Sequence, residues 1–446
     1  MISLTEKILE LLSQKNYVKI KAMVTDLYPA DLASLLETLS PRDITLLFRI
    51  LPKELAAETF TFMDSDTQMH LISGFSDREL REILDEIFVD DAVDIIEEMP
   101  ANVVARILKN TDNETRKQIN NILKYPEDSA GSVMTTEYVY LHKNMTVRQA
   151  LEKIRQVGVV KETIYNCYVT EARKLIGIVT ILDLVTGDED STIESIMDTN
   201  VIYVITHEDQ EVVARKFSKY DFLAMPVVDN EERMVGIITV DDVMDVIAEE
   251  NEEDFSKMAA MSPIDDSYFK TSVFTHAKKR IGWLIFLMLS ATVTGTLLTK
   301  YEQAFQAIPL LVSFIPMLMS TGGNCGSQSS TTIIRGLATG EIQFSDFLKV
   351  AFKEFRISLI VSTILALTNG LRILIMYRDI QLAAVITLSI MGTVIIAKFI
   401  GCALPLAAKK IKLDPAIMAA PLISTILDTC SMLIYFQIAT MIFEQI

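Results

Sequence analysis

Five runs of mostly apolar residues, each about twenty or more long, crowd into the chain after residue 275. A helix of ~20 apolar residues matches the ~30 Å hydrocarbon core of a bilayer. Backbone facing lipid must satisfy its own hydrogen bonds, so helices are the expected form. The runs are Ile281–Thr299, about Ile308–Ile334, Ile357–Met376, Leu382–Leu406 and Ala416–Phe443. The residues before them have a different chemistry. Residues 1–275 hold 27 Lys and Arg against 51 Asp and Glu, and residues 276–446 hold 14 against 8. An acidic soluble part of net charge −24 therefore precedes an apolar part of net charge +6.

Basic residues orient the spans. Lys278, Lys279 and Arg280 precede the first; Arg335, Lys349, Lys353 and Arg356 lie between the second and third; Lys409, Lys410 and Lys412 lie between the fourth and fifth. The opposite loops carry Lys300 and Arg378. The excess marks the cytoplasmic side, so the N-terminus is expected inside and the C-terminus outside the cell (inner) membrane. The opening MISLTEKILELLSQ lacks the apolar core and small-residue cleavage site of a signal peptide and reads as an amphipathic helix, consistent with a cytoplasmic acidic part.

The charge balance excludes nucleic acid as a partner, which needs clustered Lys and Arg. An acidic surface attracts cations, although acidity also simply keeps a domain soluble. Cys167, Cys325, Cys402 and Cys430 form no CxxC pair, and His70, His142, His207 and His276 are scattered, so a bound metal must rely on oxygen ligands. No GxxxxGK[ST] segment is present, which argues against ATP-driven pumping.

Residues 1–128 repeat short helical runs about every 11–13 residues, opened by Pro29, Pro41, Pro52, Asp77, Asp90 and Ala101. Single helices of this length are marginal, and stacking gives them a shared core, predicting an all-α superhelical domain. Residues 129–248 turn strand-rich and carry two copies of one pattern, LIGIVTILDLV from Leu175 and MVGIITVDDVM from Met234, with a second pair at Val133 and Ile196. The pattern resembles a tandem of CBS domains, an α/β module whose Thr-x-x-Asp element often meets the ribose of an adenosine ligand; a Thr N-cap for the following helix explains the element equally well. An acidic helix is expected over 249–275, joining this module to the transmembrane part, 276–446.

Polar residues inside the spans point to chemistry. Asp428 has no basic residue three or four positions away. A carboxylate at lipid depth costs about 2.5–3.5 kcal/mol on the most lenient scale, so it must face water, a partner or an ion. Arg372 lies near a span end and can snorkel, and Lys398 is read as structural or snorkelling. The second span carries STGGNCGSQSSTT from Ser320 to Thr332, unfavourable against lipid but suited to close packing around a polar path. Pro309, Pro316, Pro405 and Pro421 interrupt helices, freeing carbonyls as transporters often do.

GGNCGSQSSTTIIRGLATGEI and DPAIMAAPLISTILDTCSMLIYF, with this domain order, strongly resemble the MgtE magnesium transporters over nearly the whole chain. The resemblance implies a multidomain membrane protein: superhelical N domain, tandem CBS module, connecting (plug) helix and a five-span helical pore. It further implies a homodimer embedded in lipid, with the pore on its two-fold axis and Asp428 in the pore. The Ser424 carbonyl is a helper, and Asn324, Ser327 and Thr331 line the path; Ser327 stands where Asn is common. It implies Mg²⁺ import, closed when cytosolic Mg²⁺ binds Glu58, Asp90, Asp94, Glu211, Asp221, Asp242, Asp245, Glu250, Glu253 and Asp254, and ATP contacts at Tyr165, Thr180, Asp183 and Phe222. Asp90/Asp94 and Glu250/Asp254 are i,i+4 pairs sharing a helix face. No enzyme activity is expected. Two other readings stay open: a Co²⁺ or Mn²⁺ transporter of the same fold, disfavoured by the lack of His or Cys one turn from Asp428, and a membrane sensor of Mg²⁺ or nucleotide that conducts nothing.

Overall fold

The structure, a computed structural model, describes residues 2–264, 268–269, 271–301 and 308–443. Residues 265–267 and 270 of the expected connecting segment lie outside the described residues. The chain forms two compact units, Met1–Ile247 and Ala248–Ile446.

Unit one opens with ten helices among the described residues: α1 (Ile2–Ser13), α2 (Tyr17–Val24), α3 (Pro29–Glu37), α4 (Pro41–Phe48), α5 (Lys53–Thr61), α6 (Ser65–Gly74), α7 (Asp77–Leu84), α8 (Val89–Glu98), α9 (Ala101–Asn110) and α10 (Asn113–Ile122). The expected starts recur. Pro29 and Pro41 sit in the first turns of α3 and α4, and Ser76 with Glu79 forms a capping box on α7. Asp64 and Asp112 cap α6 and α10, two helices whose starts lack the repeated Pro signal. Helices stack on near neighbours in the series, α3 on α5, α5 on α7 and α7 on α9, so that Leu36, Phe60, Leu80 and Val93 share one core. Each helix is 8–12 residues long, too short to persist without that stacking.

The α/β part holds two three-stranded sheets, β1 (Val139–Leu141), β2 (Asn166–Glu171), β3 (Lys174–Thr180) and β4 (Val204–Ile205), β5 (Ala224–Val228), β6 (Met234–Thr239). In each, the first strand runs parallel to the second and the second antiparallel to the third, with the same bulge near the end of the second pairing. The remaining helices are α11 (Val147–Val157), α12 (Ile181–Thr186), α13 (Ile193–Ile196), α14 (Gln210–Tyr220) and α15 (Val240–Met258). The segments at Val133 and Ile196 cross over. Thr135 exchanges hydrogen bonds with Ile237 of the second repeat, and Asp198 with Ile178 of the first. This exchange explains the repeated glycine. A Cβ on Gly177 would lie 2.7 Å from Met197 Sδ, and one on Gly236 would lie 2.6 Å from the Thr135 carbonyl oxygen and 2.8 Å from Met134 Sδ.

The connecting helix expected over 249–275 is displaced in the structure to α15, Val240–Met258. Val243 and Val246 bury in the core of unit one, so the helix starts directly after β6 and its Thr239 cap. Beyond Met258 the backbone leaves the helix, with Ala260 at φ 54.

In unit two, α16 (Val273–Lys300), α17 (Ile315–Ala338), α18 (Phe347–Tyr377), α19 (Ile380–Lys410) and α20 (Ala420–Ile442) form a bundle. Among the described residues, four helical stretches are long and apolar enough to cross a membrane: Val273–Lys300, Phe344–Tyr377, Ile380–Lys410 and Ala420–Ile442. The run about Ile308–Ile334 becomes a 3₁₀ turn, Pro309–Phe314, followed by α17. The glycines and hydroxyls of α17 set it apart from the other four. It packs on α19 and α20. The Gly326 carbonyl oxygen lies 2.4 Å from where a Gly401 Cβ would stand, so the α17–α19 crossing is possible only without a side chain there. Lys398 is buried inside the bundle, 6% exposed, rather than reaching an interface.

Candidate functional site

Two polar sites stand out, one in each unit. In unit two, α17 is two-faced. Gly322, Cys325, Gly326, Ser329, Ser330 and Ile333 are buried, while Ser320, Asn324, Gln328 and Thr331 are exposed. The spacing of three and four places the second set on one stripe. Across from it, α20 presents Ser424 and Asp428 one turn apart. Pro316, Met319, Ser320, Gly323, Asn324, Ser424 and Asp428 line one open groove of about 440 Å³. A Cβ on Gly323 would meet Ser424 Oγ at 3.0 Å, so this glycine lets the two helices close on one another beside the carboxylate. Asn324, Ser424 and Asp428 are thus brought together. Ser327 and Thr331 lie farther along the same helix, Ser327 partly buried and Thr331 exposed, and are not in the groove lining. Sequence reasoning missed Ser320, although its spacing of four from Asn324 marks it.

Unit one concentrates negative charge. Asp90 and Asp91 of α8, Glu162 before β2 and Asp242 of α15 all have raised pKa values, and the nearby carboxylates of Glu137, before β1, and Asp241 of α15 contribute to them. Burial first, then the neighbouring carboxylates Asp242, Glu162 and Asp91, push Asp90 well above the usual range. Burial and Asp242 push Asp91 to about 6, and burial with Asp242 and Asp241 pushes Glu162 to about 8. Asp242 rises to about 6 through burial, against the hydrogen bonds from Thr239. Asp90 Oδ1 and Glu162 Oε2 are buried with no hydrogen-bond partner. In a low-dielectric cluster of one sign, such carboxylates either take up protons or gain from a nearby cation. Among the described residues no three His, Cys, Asp or Glu side chains converge as a ready coordination cage.

The other acidic candidates divide. Asp94 is exposed although Asp90, one turn earlier, is buried. Glu58 and Asp245 are exposed, and burial and Asp241 raise Asp245. Glu211 pairs with Arg215 at 3.5 Å, and Asp221 ends α14 in a left-handed conformation, φ 54. In unit two, Glu250 and Asp254 are partly buried on α15, and Glu253 pairs with Lys257 at 2.6 Å. Asp91, Asp241, Glu137 and Glu162 were missed. The first two adjoin chosen acids, whereas nothing local marks Glu137 or Glu162.

At the nucleotide candidates, Asp183 accepts from Thr180 Oγ1 at 2.6 Å and from Thr180 N at 2.9 Å, so the pair caps α12. The Tyr165 carbonyl accepts from Ile181 N at 2.9 Å, and the residue is 61% exposed. Phe222 belongs to the second repeat, stacked on Tyr220 at 5.5 Å.

The architecture defines a multidomain membrane protein with a helical N-terminal domain, a CBS pair and a helical bundle. Family models agree: MgtE intracellular N domain over residues 27–128, CBS domain over 130–189 and 193–249, and MgtE, divalent cation transporter, over 315–438. The magnesium transporter MgtE of Thermus thermophilus is 34% identical over 444 residues, 98% of either chain. That of Bacillus subtilis is 32% identical, covering 92% of this chain and 93% of the relative. The chain belongs to the MgtE family of divalent cation transporters. Among solved structures, the cytosolic domain of the Mg²⁺ channel MgtE in complex with ATP matches at 35% identity and a TM-score of 0.52, covering 54% of this chain and 99% of that one. The soluble part of a magnesium transporter matches at 30% identity and the same TM-score.

Proposed function

We propose that this chain is a Mg²⁺ channel of the cell membrane, with no enzymatic activity, working as a homodimer. Its five spans are α16 to α20, with the N-terminus in the cytoplasm and the C-terminus outside. The domains are the N domain, 1–128, the CBS pair, 129–248, and the pore part from 276, joined by the connecting helix. The observation that carries the reading is the groove in which Asp428, Ser424 and Asn324 meet.

Asp428 supplies the charge and Asn324 and Ser424 the dipoles. Mg²⁺ releases its waters reluctantly and takes oxygen ligands, so carboxylates from two copies grip the hydrated cargo through its waters. Ser327 and Thr331 continue the polar path. In the cytosolic unit, Asp90, Asp91, Glu162 and Asp242 repel one another and favour an open arrangement. A bound divalent cation offsets that charge. The closed arrangement is then favoured because it binds the ion better, and α15 carries the change toward the pore. Glu58, Asp94, Glu211, Asp221, Asp245, Glu250, Glu253 and Asp254 contribute to the same acidic field. ATP is a second ligand, at Tyr165, Thr180 and Asp183 with Phe222.

The test is Mg²⁺ uptake into liposomes containing the full chain, wild type beside Asp428→Ala. Uptake that disappears in the variant supports the groove as the ion path. Equal uptake in both refutes the pore site. No wild-type uptake, even with little Mg²⁺ on the cytosolic face, turns the reading to a non-conducting sensor.

A further inference from the structure

Glu354 lies near the start of α18 between two basic residues, Lys353 and Arg356. Both neighbours are exposed, whereas Glu354 is only 7% exposed. It falls on the inward stripe Val350, Glu354, Ser358, Ser362, Ala366, every member of which is buried. A buried carboxylate in a span is retained only where something compensates its desolvation. Here Ser329 Oγ of α17 donates to Glu354 Oε2 at 2.6 Å, with both residues buried.

Ser329 is where α17 meets two neighbours at once. A Cβ on Gly401 of α19 would lie 3.1 Å from Ser329 Cβ. The next residue, Ser330, donates to the Met418 carbonyl at 2.6 Å, just before α20 begins. Beside the groove the buried face of α17 is small, with Gly322, Gly323 and Gly326 offering no side chain to interlock, whereas Ile333, Ile334 and Leu337 are buried farther toward its C-terminal end. Helices fix their rotation about their own axes through interdigitating side chains. The glycine-rich stretch lacks those, and directed hydrogen bonds next to it supply the missing constraint.

We propose that Glu354 is a positioning residue for the ion path. Through Ser329 it sets the rotation of α17 and thereby where Asn324, Ser327 and Thr331 stand relative to Asp428. The inference rests on the reading that α17 and α20 line the path. Glu354 itself is not among the residues that line the groove and needs no contact with the ion. What matters at position 354 is the acceptor oxygen, not the negative charge.

The test uses full-length protein in liposomes, with Mg²⁺ half-saturation and the ratio of Mg²⁺ to Ca²⁺ flux as readouts. Glu354→Ala and Ser329→Ala are each expected to change half-saturation or the flux ratio about tenfold, the scale of one hydrogen bond to a charged group. The double variant is expected to be no worse than either single one, because both remove the same contact. Glu354→Gln keeps an acceptor and stays within about twofold of wild type. A general loss of packing would lower the number of active channels and leave both readouts unmoved; that result overturns the proposal. So does a Glu354→Gln variant as defective as Glu354→Ala, which would make the charge the working group. If Glu354→Ala fails to fold, Ser329→Ala, which deletes one hydroxyl, decides the matter. Asp428→Asn in parallel separates the two readings. Undiminished flux there removes the groove as the path, whereas abolished flux with unchanged Ser329→Ala and Glu354→Ala removes only the role given to Glu354.

Discussion

The Lys257 ammonium lies 2.7 Å from Asp414 Oδ2, and it also bonds Glu253 on its own helix at 2.6 Å. Asp414 Oδ1 accepts from Ala416 N at 2.8 Å, capping the turn that leads to α20 and Asp428. Met258 packs beside them on Ile334, Ala416 and Ala419. The end of the connecting helix and the approach to the Asp428 helix therefore share one cation. Burial works against the charged lysine, but Asp414 and Glu253 outweigh it and hold the ammonium above its ordinary pKa.

Lys257→Met should loosen that end of α15. The pair is partly exposed, so the loss is only about 0.5–1 kcal/mol. Amide exchange over residues 253–258 should speed up several-fold, and Lys257→Met with Asp414→Asn should recover part of the protection because less charge is stranded. Wild-type exchange in Lys257→Met would show that the hydrophobic contact at Met258 holds the helix end alone.

The acidic cluster predicts a sign for pH. Asp90, Asp91, Asp242 and Glu162 all have raised pKa values in the fold, with Asp91 and Asp242 at about 6 and Glu162 at about 8. The folded state binds more protons than the unfolded chain, so the stability these groups allow is fully present below their unfolded values and is lost as pH climbs through 6 and 8. Without divalent ions, the full chain in detergent should melt lower at about pH 8.5 than at about pH 5.5, and less so in Asp90→Asn/Asp242→Asn. Mg²⁺ should restore the melting temperature at the higher pH by mass action. Equal pH dependence in wild type and variant would detach the effect from this cluster.

Asp183 caps α12 through Thr180. Replacing it with Ala removes a cap worth about 1 kcal/mol, so thermal stability without nucleotide should fall slightly. If the pair also meets a ribose, ATP affinity measured by titration calorimetry should drop about tenfold, while Asp183→Asn, which keeps an acceptor, loses less. Unchanged ATP affinity in Asp183→Ala would leave the element as a helix cap only.

Gly401→Ala places a methyl 2.4 Å from the Gly326 carbonyl oxygen, a backbone atom of a packed helix. Overpacking of this kind costs about 1–3 kcal/mol, so the fraction surviving mild heating in detergent should fall. Gly282→Ala, where nothing lies within 4 Å of the new carbon, should match wild type. Equal survival of the two variants would mean that the α17–α19 crossing relaxes freely.

The helical stack, the doubled α/β pattern and the apolar helices were legible because each is written locally, in Pro and Asp starts, in a repeated β-Gly-β-Thr-x-x-Asp string and in run length. Asp428 was legible for the same reason: a lone carboxylate in an apolar run is costly wherever the run folds. Long-range placement was not. No string of residues announces that Glu137 and Glu162 join Asp90 and Asp242, or that the connecting helix begins at Val240 rather than near residue 249. Those facts depend on which surfaces are buried against each other. Glu354 makes the same point. Between Lys353 and Arg356 it reads as a loop charge, and only the packing of α18 on α19, with Ser329 of α17 in reach, turns it inward. The sequence by itself determined the elements, their order and the chemistry available. The tertiary structure decided which charges share a low-dielectric space, because burial and electrostatic coupling belong to pairs of surfaces distant along the chain.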